Sequence, residues 1–292
     1  MLKQYPNKFR GRIVMSINQS GAVLQGLVAI VTGGGAGIGG GISRALAMAG
    51  ARILLVDSNE QYARETEHVI IEDGGQAQVC VCDITEKSSI ALLKKAVASF
   101  SNGRVDILVN NVGDYHSAGL FCETDEENWE KLYNINLLHV FRCTHAFLPG
   151  MIEQGSGSII NLSSVEAYRG IPGNVVYAAF KGAVSQFTRS LAIEVGSQGV
   201  RVNAIAPDVT QSPQLPYDQW VPEEQQRMIP SWVPVGRFGT AEDHGNVAVF
   251  LASNQSSFIT GHTIPVDGGT LASSGWFKKE GEMSWTNRPE KP

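Results

Sequence analysis

From residue 27 to residue 266 the chain alternates short apolar runs with helix-length segments, and this rhythm constrains the fold more than any other feature. The runs 27–31, 52–56, 77–82, 105–109, 158–162, 200–205 and 263–266 read as seven strands. Several are near-continuous in Leu or β-branched residues, as parallel strands are when both faces are covered. Helices fit at 38–49, 60–73, 86–101, 125–147, 174–196 and 241–252. The succession is βαβ throughout, so the expected fold is α/β: one doubly wound parallel sheet of about seven strands with helices on both faces. A length of 292 residues would suggest about two domains. No internal boundary has a linker's composition, and a single domain over 25–270 is the simpler reading.

Residues 1–24 read as a flexible extension, or as the product of an upstream start with Met15 opening the folded protein. Lys3, Lys8, Arg10 and Arg12 stand there without acids or an apolar core, which argues against a secretory signal. Residues 207–240 break the rhythm with six prolines and the aromatics Tyr217, Trp220 and Trp232. Excursions of this kind after a strand's carboxyl end are usually lids or binding loops, so a short helical or loop insert covering a substrate pocket is expected. The tail 271–292 carries Trp276, Phe277 and Trp285 in a polar setting, which suggests that it docks rather than floats. A formal charge of −5 disfavours nucleic acid as a partner. No run reaches 18 apolar residues, so no membrane span is expected. Four scattered cysteines point to buried thiols in a reducing cytoplasm. No His/Cys/Glu cluster has metal-ligand spacing, and no metal is expected.

Seven of the 32 glycines fall in the nine residues 33–41, directly after the first strand and opening the first helix. Glycines there let the backbone turn sharply and approach a pyrophosphate, whose charge meets free N–H groups at a helix N-terminus. Gly33, Gly37 and Gly39 are the candidate contacts. Asp57 ends the second strand, 18 residues after Gly39, where a carboxylate can accept hydrogen bonds from the adenosine ribose and would repel a 2′-phosphate. With no basic residue close behind it, NAD is favoured over NADP. Asp83 and Ile84, closing the third strand, would bound an adenine pocket. On the helix after the fifth strand, Tyr177 and Lys181 are spaced i, i+4 and share a face. A Tyr ionises near pH 10, and a nearby ammonium, with an oxidised nicotinamide, would bring that value toward neutrality. Ser164, ending the fifth strand, brings a hydroxyl to the same edge of the sheet.

Together these residues resemble the short-chain dehydrogenase/reductase family. The resemblance covers about 26–270 and rests on Thr32-Gly-x-x-x-Gly37-Ile-Gly39, Asn110-Asn111-Val112-Gly113, Asn134-Ile-Asn136, Ser164, Tyr177-x-x-x-Lys181 and Val266-Asp-Gly-Gly269. It implies a Rossmann-like domain with strand order 3-2-1-4-5-6-7 and alcohol oxidation, or its reverse, with a nicotinamide cofactor. By motif, Tyr177 would be the general base, Ser164 would hold the substrate oxygen, Lys181 would hold the ribose hydroxyls, and Asn136 would anchor a relay water. Of the adjacent serines, the family's spacing chooses Ser164 over Ser163. Asn110 would both line the adenosine side and tie the fourth strand to its neighbours. Ile38, Val112, Gly113, Pro207, Val209 and Ser212 would also contact the cofactor. The family's habit further implies a homo-oligomer, a tetramer or dimer, built on 125–147 and 174–196.

Three departures stand out. Asp208 replaces a glycine common after Pro207, and a loop shift would be needed if that position takes a positive φ. Ser212 replaces a frequent Thr, and Phe180 a frequent small residue. The substrate candidates are His116, Glu166, Tyr168 and Trp220. His116 is either a hydrogen-bonding group or a plain loop histidine; Glu166 either meets substrate or pairs with Arg169. An aromatic cover with few polar groups suits a small-molecule alcohol or ketone that is cyclic or bulky, steroid- or terpenoid-like. The alternatives are a 3-oxoacyl thioester reductase, which Asp57 opposes, and an inactive nucleotide-binding scaffold or sensor.

Overall fold

Alternation along the strands creates two layers of core. In β1 (Val28–Thr32), Ala29 and Val31 face one side and Ile30 the other; in β2 (Arg52–Asp57), Ile53 and Leu55 oppose Leu54 and Val56. All are sealed from solvent. The first side is covered by Ile42 and Leu46 of α1 (Gly37–Met48), Ile70 of α2 (Glu60–Glu72) and Leu251 of α10 (Ala241–Ala252). The second is covered by Leu93 and Val97 of α3 (Ser89–Ser101), Phe147 and Met151 of α5 (His139–Gln154), and Leu191 and Val195 of α6 (Val175–Val195). Side chains of period two inside and helices of period 3.6 outside can satisfy both layers only in a doubly wound sheet.

The computed structural model describes residues 23–115, 119–273, 275, 277–279 and 285–286. The extension before residue 23, His116 and Trp276 lie outside the described residues. The sheet has seven parallel strands in the order β3-β2-β1-β4-β5-β6-β7, with β3 at Gln76–Val81, β4 at Ile107–Asn110, β5 at Gly157–Leu162, β6 at Val200–Pro207 and β7 at Thr263–Val266. Its winding reverses between β1 and β4, which opens a crevice at their carboxyl ends.

One helix differs from expectation. The segment read as one helix over 125–147 is α4 (Glu126–Tyr133), a π-helical turn at Asn134–Leu138, and α5, which continues through Pro149 and stops at Gly155 in the left-handed region. A π turn shifts the helix by one residue and turns Asn136 inward. The glycines inside α1 have a packing reason. A Cβ on Gly41 would stand 2.4 Å from the Ala241 Cβ, so only glycine lets α1 and α10 cross this closely.

The excursion after β6 is closed at its base, where Gln211 N–H donates to Gly239 O at 2.8 Å and Gly239 N–H to Val209 O at 3.0 Å. It forms three single-turn helices, α7 (Tyr217–Trp220), α8 (Glu223–Gln226) and α9 (Ile229–Trp232). Tyr217 is its hub: the ring stacks on Phe238 at 5.1 Å and meets Trp220 and Trp232 edge-on. Val235 N–H donates to Gly268 O at 3.0 Å, which ties the cover to the turn after β7. In the tail, β8 (Phe277–Lys278) pairs antiparallel with β9 (Trp285–Thr286), and β8 runs beside α9.

Candidate active site

The carboxyl ends of β1, β2, β4, β5 and β6 and the cover enclose a cavity of about 770 Å³. At one end lies the glycine turn. Gly33, Gly37, Ile38 and Gly39 line it, and no side chain caps the N-terminus of α1. Helix N-terminal N–H groups without a capping side chain are donors waiting for an anion. Asp57 stands at the same end. Its Oδ2 accepts from Gly35 N–H and its Oδ1 from Asn59 N–H, both at 2.9 Å, which holds the carboxylate at the cavity wall. Ser58, Asn59 and Tyr62 line the wall beside it, and none is basic. The uncapped helix end and the fixed acceptor fit a dinucleotide's pyrophosphate and ribose.

At the other end, β5 delivers Ser164 and the first turns of α6 deliver Tyr177 and Lys181. The Ser164 oxygen accepts from Glu166 N–H at 3.2 Å, and its hydroxyl favours the Tyr177 phenolate. Ser163, although it also borders the cavity, donates instead to Lys181 O at 2.9 Å and meets Ser185 Oγ at 2.8 Å, pinning β5 to α6. The buried Lys181 ammonium donates to Leu162 O at 2.9 Å and lies 5.6 Å from the centre of the Tyr177 ring. Burial pushes Lys181 down to about 8. It also pushes Tyr177 up to about 12; the Ser164 hydroxyl pulls the other way, and the carboxylates Glu166, Asp114 and Asp208 add to the rise. The expected lowering of the Tyr177 pKa is therefore not a property of the protein groups alone: desolvation and the three carboxylates outweigh the pull of Ser164.

Asn136 is fully buried on the π turn. Its Nδ2 donates to Asp114 O at 2.7 Å and Leu132 O at 3.0 Å, and its Oδ1 accepts from Asp114 N–H at 3.2 Å. It thereby clamps the loop after β4 to the helix beside Lys181.

Residues 33–270 match the family model described as enoyl-(acyl carrier protein) reductase. The 3-oxoacyl-(acyl-carrier-protein) reductase of Thermotoga maritima is 36% identical over 253 residues, covering 85% of this chain and 99% of the relative. The chain is a short-chain dehydrogenase/reductase. Among solved members of the family, a proposed NAD(P)-dependent gluconate 5-dehydrogenase from Beutenbergia cavernae, with NADP bound at low occupancy, superposes with a TM-score of 0.79 at 34% identity, over 87% of this chain and all of that one. A levodione reductase gives 0.79 at 31% identity, over 85% of this chain and 99% of its own.

Within this dehydrogenase fold the expected residues separate. Val112, Gly113, Pro207, Val209 and Ser212 line the cavity with those above, as do Glu166 and Trp220. Asp83, Ile84, Asn110, Asn136 and Tyr168 stand outside the lining. Asp83 Oδ1 turns back to Thr85 N–H and Oγ1, and Ile84 is buried in the core. Asn110 donates to Asn161 Oδ1 and Thr144 Oγ1, so it ties β4 to β5 and α5 as expected. Tyr168 is exposed, its hydroxyl 3.4 Å from Thr263 O. Trp232 packs in the aromatic cluster behind Trp220. Phe180 fills its own space against Tyr133, at 5.7 Å.

Of the two readings for Glu166, the structure has the ion pair: Arg169 Nη2 lies 3.0 Å from Glu166 Oε1 and 2.8 Å from Asp208 Oδ2. Asp208 needs no positive φ. The sequence reading missed Asp208 as a partner of Arg169. The signal was present, an acid replacing the glycine after Pro207 while Arg169 had been considered for Glu166 alone. Ile171, Leu215 and Tyr217, apolar neighbours of the cavity, were also missed.

Proposed function

We propose that the protein interconverts a secondary alcohol and a ketone by hydride transfer with NAD(H), acting on a small, uncharged and bulky or cyclic molecule. One observation carries the reading: a single cavity holds the Asp57 carboxylate at one end and Ser164, Tyr177 and Lys181 at the other, with Ile171, Leu215, Tyr217 and Trp220 between cover and floor. The glycine turn would hold the pyrophosphate, Asp57 the adenosine ribose and Lys181 the nicotinamide ribose. The bound nicotinamide supplies the hydride acceptor or donor. Ser164 holds the substrate oxygen as charge develops on it, and Tyr177 takes or gives its proton. With its pKa near 12, Tyr177 rests protonated, the form that donates to a ketone oxygen. Asn136 acts through Lys181 by fixing the loop that packs on it.

The levodione reductase at 31% identity supports a ketone of this kind. The Thermotoga relative supports a second reading, reduction of a 3-oxoacyl thioester. The deciding assay follows NADH and NADPH consumption with cyclic ketones, sugars and acetoacetyl thioesters in parallel. Turnover of cyclic ketones with NADH, lost about 100- to 10,000-fold in Tyr177→Phe while NADH still binds, supports the first reading. Activity confined to thioesters with NADPH establishes the second.

A further inference from the structure

The described residues that line the cavity include four carboxylates, Asp57, Asp114, Glu166 and Asp208, and one cation, the buried Lys181. Arg169 is close but is not part of the wall. Its Nη2 reaches both Glu166 Oε1 at 3.0 Å and Asp208 Oδ2 at 2.8 Å, and its Nε lies 3.4 Å from Glu166 Oε2. Both acid side chains are about nine-tenths buried, and the guanidinium side chain is 30% exposed. Asp208 is itself held on all sides, by Val209 N–H at 2.9 Å and by Thr270 Oγ1. The network therefore presents two acids to the substrate and keeps its arginine behind them, with a net charge of −1.

We propose that Asp208 determines which substrate charge the site accepts: by engaging Arg169 together with Glu166, it withdraws a guanidinium that would otherwise bind a substrate carboxylate, and so selects uncharged ketones and alcohols against anionic ones. The inference rests on the oxidoreductase reading and extends it to substrate class. A planar guanidinium is the strongest carboxylate receptor a protein has, through two parallel charge-assisted hydrogen bonds. Saturating it with two fixed acids removes that receptor, and the residual negative field repels an anion, which is discrimination by exclusion as well as by fit. Glycine at 208, the residue common in the family, would remove one acid and open the space between Arg169 and the cavity.

The test compares cyclohexanone with oxocyclohexanecarboxylate, with NADH, in the wild type, Asp208→Gly, Asp208→Asn and the double variant Asp208→Gly/Arg169→Gln. The wild type is expected to favour the neutral ketone. Both single variants are expected to shift the ratio of kcat/KM toward the carboxylate by about 10- to 100-fold, the range of a recovered charge-assisted pair. The double variant should lose that shift. Asp208→Asn keeps the side-chain shape, so it answers if Asp208→Gly folds poorly. In parallel, quenching of Trp220 on the cavity wall measures binding of cyclohexanecarboxylate and cyclohexanol without turnover. A protein that reduces neither ketone refutes the cyclic-ketone reading, and the quenching series still decides the charge preference. Equal carboxylate preference in the wild type and Asp208→Asn, in both kinetics and quenching, overturns the proposal.

Discussion

The Lys181 ammonium lies where a side chain on residue 113 would begin: a Cβ on Gly113 would stand 2.8 Å from Lys181 Nζ and 3.1 Å from Asn136 Oδ1. The bare backbone after β4 is therefore what lets a lysine from α6 and an asparagine from the π turn converge on one loop. Neither neighbour has room to yield, because Nζ is bonded to Leu162 O and Asn136 holds both sides of Asp114.

Gly113→Ala should consequently displace Lys181 and lower kcat/KM by about 10- to 100-fold, on the scale of other losses of a positioned group. Because no positive φ is involved, thermal stability should fall much less than activity. Steady-state kinetics beside a thermal melt checks this. Full activity in the alanine variant would show that Nζ has another position open to it.

Asp57→Ala should weaken NADH binding and narrow the discrimination between NADH and NADPH. The carboxylate is fixed by Gly35 and Asn59, and it would repel a 2′-phosphate at short range. Kd values for both reduced cofactors, measured by fluorescence transfer from protein tryptophans, decide the matter; an unchanged ratio removes Asp57 from the ribose site.

How far the sequence was legible depended on which physical signal each residue left. The strand order was implied by the family resemblance and is the one the sheet has, and all seven strands sit within two residues of where the apolar runs place them. Ser164, Tyr177 and Lys181 line one cavity as their motif spacing implies. The π turn at Asn134–Leu138 leaves no periodic signature, since one inserted residue only rephases an apolar stripe. The Glu166–Arg169 pair, 3 residues apart, was among the readings; the extension to Asp208, 39 residues on, was hidden because it meets Arg169 only through the β5–β6 pairing. Gly41 leaves no sequence signal of its role, because what requires it is α10 crossing α1 there.

The carboxylates near Tyr177 should be visible in the pH dependence. Glu166 and Asp208 favour the protonated phenol, so removing their charge favours the phenolate and lowers the Tyr177 pKa. In Glu166→Gln and Asp208→Asn, the rising limb of alcohol oxidation should move to lower pH, further still in the double variant. A limb that stays in place would mean that a group other than Tyr177 sets it.

Acid stability should be governed by two histidines that the chemistry does not use. His139 and His244 have no exposed surface, and burial pushes each down to about 4 from an ordinary value of 6.5. His244 Nε2 shares a hydrogen bond with Thr210 Oγ1 at 2.7 Å, at the base of the cover. Above pH 6.5 neither the folded nor the unfolded state protonates them. Between 6.5 and about 4 the unfolded chain binds protons that the folded chain refuses, so stability falls as the pH falls; below that both states are charged and the loss stops. Each histidine accounts for a loss of roughly 3 kcal/mol at most. His244→Gln keeps a partner for Thr210 and should flatten the decline of Tm across this window relative to the wild type. Parallel declines for the two proteins would show that His244 titrates normally in the fold.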